Sequence, residues 1–341
     1  MKFSKIFFIG TCALFLFILI LAVFKPQDKK RDAADIMVQE IPIVGEESTL
    51  QKVSKKTTPK VIEPKAERKA SILPSEKLSN TPLPDANLIH KLFVTDASKL
   101  PIVKTITYTS RVPWLEDRCA WLADYAAHHH TSRHFIARSL NGNPDYFTQK
   151  VSHGDEFNVF REDKEIEFHI VVDLSRCKMW FYYYDVEEGK RLLLKTYSVG
   201  LGRKNLERRS GLLTPLGCYR LGENVAIYKP GMMGYFQEQK VEMIRVFGTR
   251  WIPFAAAVSL DADSPRGYGI HGTPWKVDAK GNLVEDTSHI HQYKSDGCIR
   301  MKAEDVEELF AIVITKPTFV HTVKDFYDAK LPGVEENKKI D

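Results

Sequence analysis

The 341 residues are 43% hydrophobic and 11% aromatic, enough to bury one or two ordinary cores. The net charge of +5 lies in residues 1–75, which hold 13 Lys+Arg and 8 Asp+Glu; of the 49 basic and 44 acidic residues, that leaves 36 of each for the remainder. A nucleic-acid binder carries its positive excess on the folded part, so this balance excludes nucleic acid as the partner.

Residues 1–24 are dominated by the uncharged run from Ile6 to Phe24, close to the 20 or so apolar residues that cross a bilayer. Lys2 and Lys5 precede it, and Lys25, Lys29, Lys30 and Arg31 follow. No small-x-small cleavage site closes the run, so an uncleaved signal anchor is expected rather than a removed signal peptide. Residues 25–95 are rich in Lys, Glu, Pro, Ser and Thr without helical or strand period, the composition of a disordered linker.

Residues 96–165 form a small helical or α+β unit. Trp114 to His128 has apolar Leu115, Ala120, Trp121, Leu122, Tyr125 and Ala126 at helical steps. Ser132 to Leu140 predicts a second helix, with Asn141-Gly142 as its stop, and Val151 to Phe160 a turn plus strand. His128, His129, His130 and His134 have a spacing open to metal, but no carboxylate or thiol completes a set. From Phe168 onward short β-rich runs are bounded by Gly, Asp and Pro. Trp180 to Tyr184 is expected in a sheet with two packed faces. Ala303 to Ile314 is the one strong helix, with Glu304 and Asp305 in its first turn, an apolar face of Val306, Leu309, Phe310 and Val313, and Pro317 beyond its end. Residues 166–325 are therefore mainly β with a C-terminal helix, and 326–341 a tail.

Chemistry concentrates in Gly269 to Thr273 and Ser295 to Met301. A thiol is mostly protonated at neutral pH, and an imidazole within reach can take its proton. His271 and Cys298 are the candidate base and nucleophile. Gly297 suits a tight turn whose N–H groups can face an oxyanion. Cys119, Cys177 and Cys218 follow no metal or redox spacing, and their pairing stays open.

Two resemblances follow from these residues. The pair of short helices before a Gly-Asp turn and strand, in 96–165, resembles a LysM sugar-binding module. Far more specific is the ordered set Tyr197 to Gly202, Thr214-Pro215-Leu216-Gly217, Phe247 to Ile252, IHGT at 270–273, SDGCIRM at 295–301 and the helix at 305–310. Together these resemble the L,D-transpeptidase (YkuD-type) catalytic domain over about 166–325. That resemblance implies a β-sandwich and a membrane-tethered, periplasmic enzyme that exchanges peptide bonds in peptidoglycan stem peptides without metal, ATP or other cofactor. Transfer to an amine gives 3→3 cross-links; hydrolysis by the same thiol, or wall binding without catalysis, are its alternatives. By the same resemblance Cys298 is the nucleophile, His271 the base and the Gly272 carbonyl its orienting group. Ser295, Gly297, Arg300 and Thr273 would line the substrate site.

Two departures stand out. Asp296 occupies the place where the family usually has His, so it is expected either to bond His271 or to raise the Cys298 pKa. The His271–Ser295 spacing is also long, which predicts an enlarged capping loop in which Trp275 and Tyr293 reach substrate or pack inside. His289 and His291 in that loop are expected to be solvent-exposed.

Overall fold

A computed structural model describes residues 82–141 and 150–336. The apolar run 6–24, most of the linker and the last residues of the tail lie outside that range. Among the described residues no helix is long and apolar enough to cross a membrane.

Chain order within the span 82–165 corrects two expectations. The end of the stretch expected to be linker is part of the fold. Its Leu83 and Ala86 pack on Trp180 and Tyr182, Pro84 O accepts from Trp180 Nε1 (2.7 Å), and Leu88 N–H donates to Leu194 O (2.6 Å). The cause is the apolar set Ile89, Leu92 and Phe93, of which the first two are fully buried; a Pro- and Lys-rich composition upstream masks it. Strand β1 (Val103–Thr107), helix α1 (Leu122–His128), helix α2 (Arg133–Asn141) and strand β2 (Glu156–Phe160) then form a β-α-α-β unit, with β1 and β2 antiparallel. Helix α1 starts later than Trp114 because the Asp124 carboxylate accepts from Trp121 N–H (2.8 Å) and pairs with Arg118, capping the helix there. The unit has its own small core of Tyr108, Ala120, Tyr125, Ile136 and Phe157. Its other side, Ile102, Phe135 and Phe160, belongs to the main core with Phe168 and Phe181.

The main sheet is built from β3 (Ile166–Asp173), β4 (Lys178–Asp185) and β5 (Lys190–Ser198), an antiparallel meander. Short β6 (Leu201–Gly202) follows, then β7 (Gly217–Leu221), β8 (Ala226–Ile227), the hairpin β9 (Met233–Phe236) with β10 (Gln239–Glu242), helix α3 (Ile244–Phe247) and β11 (Arg250–Ala257). Next come β12 (Gly269–Gly272), the hairpin β13 (Trp275–Val277) with β14 (Leu283–Glu285), β15 (Tyr293–Ser295), β16 (Ile299–Met301), helix α4 (Ala303–Val313), β17 (Thr318–Val323) and β18 (Val334–Glu335). Rather than two stacked sheets, ten strands form one mixed sheet in the order β16-β12-β11-β7-β17-β3-β4-β5-β18, with β8 on β11. The sheet curls, so Phe168 and Ile170 from its middle and Ile270, Ile299 and Met301 from its end close on one core against Val306, Leu309 and Phe310 of α4. Residues 326–336 also belong here: Phe326 packs tilted against Trp180 (4.5 Å between ring centres), and β18 pairs with β5.

Because the β-α-α-β unit and the sheet share a core, they should unfold together. Phe160→Ala removes a fully buried ring at the shared seam, which should cost about 3–5 kcal/mol. Urea unfolding of this variant should show one transition moved to lower denaturant; two separated transitions would contradict the shared core.

Candidate active site

Strands β12 and β16 run parallel, with Ile270 beside Ile299, His271 beside Arg300 and Gly272 beside Met301. Side chains alternate along each strand. Ile270 and Ile299 are fully buried in the core, so His271 and Arg300 share the opposite face. Cys298, in the turn just before β16, lies beside the Gly269 backbone and packs against Phe247 and Trp251, the two rings that also flank His271. A Cβ on Gly269 would sit 2.5 Å from Ile252 O, so this position admits no side chain beside the thiol.

His271 is buried, and its Nδ1 lies 2.7 Å from Gly272 O. A carbonyl only accepts, so Nδ1 carries the proton and Nε2 the lone pair. Phe247 meets the imidazole edge-on at 5.4 Å and Trp251 lies at 5.9 Å. Burial first, and the Arg300 charge second, lower the His271 pKa to about 3. Cys298 is partly buried against Met243, Phe247 and Trp251, with Sγ 3.7 Å from Gly267 O. Burial pushes its thiol up to about 11; the Gly269 backbone and the Arg300 charge pull it down, and Asp296 adds a small push upward. At neutral pH the resting pair is therefore a thiol and a neutral imidazole.

The turn carrying Cys298 is fixed from beneath. Ser295 is buried; its hydroxyl donates to Cys298 O (2.6 Å) and accepts from Gly297 N–H (3.2 Å). That N–H is thus engaged within the turn. Gly297 has φ +124°, and a Cβ there would lie 2.2 Å from Tyr268 Cε1 and 2.8 Å from Leu213 O. The Thr214 turn supports the same place, its Oγ1 accepting from Gly202 N–H (2.8 Å).

Three expected residues have other employment. Asp296 does not bond His271; it is exposed and forms an ion pair with Arg203 across the mouth of the turn. Thr273 is fully buried, and its hydroxyl donates to the Glu285 carboxylate, which also accepts from Ala303 N–H (2.7 Å) at the start of α4. It braces the capping segment to the helix. Tyr293 donates to Leu174 O (2.8 Å), so this aromatic of the capping loop anchors the loop to the β3–β4 turn. Arg300 has no carboxylate partner among the described residues; Nη1 lies 2.7 Å from His289 Nδ1, and Nε is buried without a partner. His289, expected to be solvent-exposed, is instead half-buried against Arg300, and Arg203 and Tyr268 were not singled out by motif. The aromatic wall of Phe247 and Trp251 had a signal, in the Phe247 to Ile252 segment.

The histidines of the β-α-α-β unit do not converge. His128 stacks on Trp114 (4.2 Å), His129 pairs with Glu162 (2.8 Å), and His134 meets Phe310 edge-on. Among the described residues no group of three His, Cys, Asp or Glu side chains is arranged for a metal. Cys119, Cys177 and Cys218 are free thiols, as is Cys298.

The family model of the L,D-transpeptidase catalytic domain (YkuD) matches residues 167–322. That span contains every residue of the site just described. No curated protein matches the chain. Among solved structures, the helical cell shape determining protein Pgp2 from Campylobacter jejuni is 19% identical with a TM-score of 0.32, covering 50% of this chain and 50% of that one. Bd1075 from Bdellovibrio bacteriovorus is 15% identical with a TM-score of 0.32, covering 46% of this chain and 48% of that one. The chain therefore spans about half the length of these solved chains, and likeness at this level fixes neither fold nor activity.

Gly297→Ala should be the most damaging single-methyl change at the site, since both φ and space forbid the new Cβ. The variant should lose the Cys298 reactivity toward carbapenem-type β-lactams that the L,D-transpeptidase resemblance implies by at least about tenfold, the rate effect of some 1.4 kcal/mol of misplacement, while keeping its far-UV spectrum. Wild-type reactivity would show that the turn is not held as described.

Proposed function

We propose that residues 166–325 are an L,D-transpeptidase-type cysteine acyltransferase acting on peptidoglycan stem peptides, with Cys298 as nucleophile and His271 as base. What supports this most is the His271 imidazole: its Nδ1 proton is held by Gly272 O, which leaves a neutral Nε2 lone pair on a ring flanked by the same two aromatics as Cys298. The catalytic-domain match over 167–322 supports this reaction class.

Cys298 Sγ attacks the carbonyl joining the third residue of a stem to its terminal D-amino acid, and the thiol proton passes to His271 Nε2. The tetrahedral adduct collapses by breaking the C–N bond, and the leaving amine takes the proton back from the imidazole. A thioester on Cys298 remains. An acceptor amine then attacks it, giving its proton to His271, and the thiolate leaves and is reprotonated. An amine from another stem makes a 3→3 cross-link; water makes the enzyme a carboxypeptidase. Arg300 supplies a guanidinium beside the nucleophile that has no carboxylate partner among the described residues, suited to a substrate carboxylate. The run from Ile6 to Phe24 would anchor the chain with this domain outside the cytoplasmic membrane, where the peptidoglycan lies.

A second contact, glycan binding by residues 96–165 in the manner of a LysM module, is favoured by the β-α-α-β order and by Trp121, which is 64% exposed.

Intact-mass measurement after incubation with a carbapenem should show one covalent adduct on the wild type and none on Cys298→Ala. Adduct on both, or on neither with no turnover of a stem tetrapeptide, would reject acyl transfer in favour of wall binding. The raised thiol pKa gives a second outcome. A thiol near 11 is almost wholly protonated from pH 7 to 10, so resting alkylation by iodoacetamide should climb about tenfold per pH unit across that window. A plateau reached below pH 8 would show a resting thiolate–imidazolium pair instead.

A further inference from the structure

The capping segment ahead of the nucleophile brings one side chain to Arg300. His289 lies at the end of a short 3-10 turn, Thr287–His289, that begins behind Asp286. Its backbone is pressed against the entry to β6: a Cβ on Gly200 would lie 2.2 Å from His289 O, and Arg300 exchanges both backbone hydrogen bonds with Gly200 (2.8 Å each). His289 Nδ1 is therefore held at Arg300 Nη1, 2.7 Å away. A guanidinium has no acceptor, so it must donate, and Nδ1 must carry a lone pair. This fixes His289 as neutral with its proton on Nε2, which faces Asp286 Oδ2 at 3.7 Å. The rest of the guanidinium makes no hydrogen bond to the protein among the described residues.

We propose that His289 is a positioning residue for Arg300: neutral, it holds the guanidinium beside Cys298 as the anchor for the free C-terminal carboxylate of the peptide being cleaved, and protonated, it lets that anchor go. The proposal rests on the acyl-transfer reading for its substrate but tests separately from it. A neutral acceptor suits this task better than a carboxylate would. An Asp or Glu at 289 would satisfy the guanidinium charge and compete with the substrate, whereas an imidazole orients it and leaves the charge uncompensated. A protonated imidazole would place a second positive charge against Arg300 with no lone pair to receive its N–H. The groups that face His289 set the balance: Arg300 from β16 and Lys276 and Lys294 from the capping segment oppose its protonation, Asp286 favours it, and His271 lies within its electrostatic reach. Burial, then Arg300, hold the His289 pKa below the ordinary imidazole value, so the anchor is complete at neutral pH and is lost as the pH falls below that range.

Binding of two probes to the full chain carrying Cys298→Ala decides the matter without requiring turnover: a stem tetrapeptide with a free terminal carboxylate, and the same peptide as its C-terminal amide. Loss of a hydrogen bond to a charged group predicts that His289→Leu weakens the acid about tenfold and leaves the amide unchanged. His289→Gln, which keeps an acceptor, should restore the acid. The acid should also bind more weakly in the His289 protein once the pH falls below the ordinary imidazole range, and this loss should be absent from His289→Gln. Equal losses for acid and amide in His289→Leu, no loss for either, or no binding of the acid at all would overturn the assignment. Absence of turnover by the Cys298 enzyme, with this binding pattern intact, would instead reject acyl transfer.

Discussion

The parallel pairing of β12 with β16 is the constraint on which the site depends. Two short strands, far apart in sequence across the capping segment, are locked in register by Ile270 and Ile299, which are fully buried in the core beneath. Strand alternation then sends His271 and Arg300 to the other face, and Cys298 sits in the turn just before β16. A one-residue slip would turn His271 and Arg300 into the core. The curl of the sheet against α4 is what buries those isoleucines, so the chemistry of one face is held by the packing of the other.

Burial also decides the electrostatics. Both His271 and Cys298 lose water, and for each this disfavours the charged form: the imidazole falls to about 3 and the thiol rises to about 11. Arg300 pulls the thiol down while opposing a charged imidazole. A resting ion pair is thus disfavoured from both sides, and in the proposed acyl transfer the proton would move only as the tetrahedral adduct forms. The fixed Nδ1–Gly272 contact prepares the receiving nitrogen in advance.

Legibility in the sequence followed the range of the interactions. Helix α4 was plain, because Val306, Leu309, Phe310 and Val313 repeat at helical spacing between acidic first-turn residues and Pro317. Cys298 and His271 were plain because they sit in short contiguous motifs. What escaped depends on contacts between distant segments. Leu83 to Phe93 looked like linker until Trp180 and Leu194 met it. Asp296 seemed adjacent to the chemistry but found Arg203, 93 positions away in the chain, and Thr273 found Glu285. Curling of one sheet, in place of two stacked ones, is likewise a matter of which strands become neighbours, and β17 enters between β7 and β3 from the far end of the domain.

The most direct measurement is acid-quenched mass spectrometry of the full chain mixed with a stem tetrapeptide, followed by peptide mapping. The account predicts a transient gain equal to the mass of the tetrapeptide minus that of the free terminal amino acid, carried by Cys298 and absent from His271→Ala within the same time. A tetrapeptide consumed with no acyl group on Cys298, or one consumed equally well by Cys298→Ala, would contradict it.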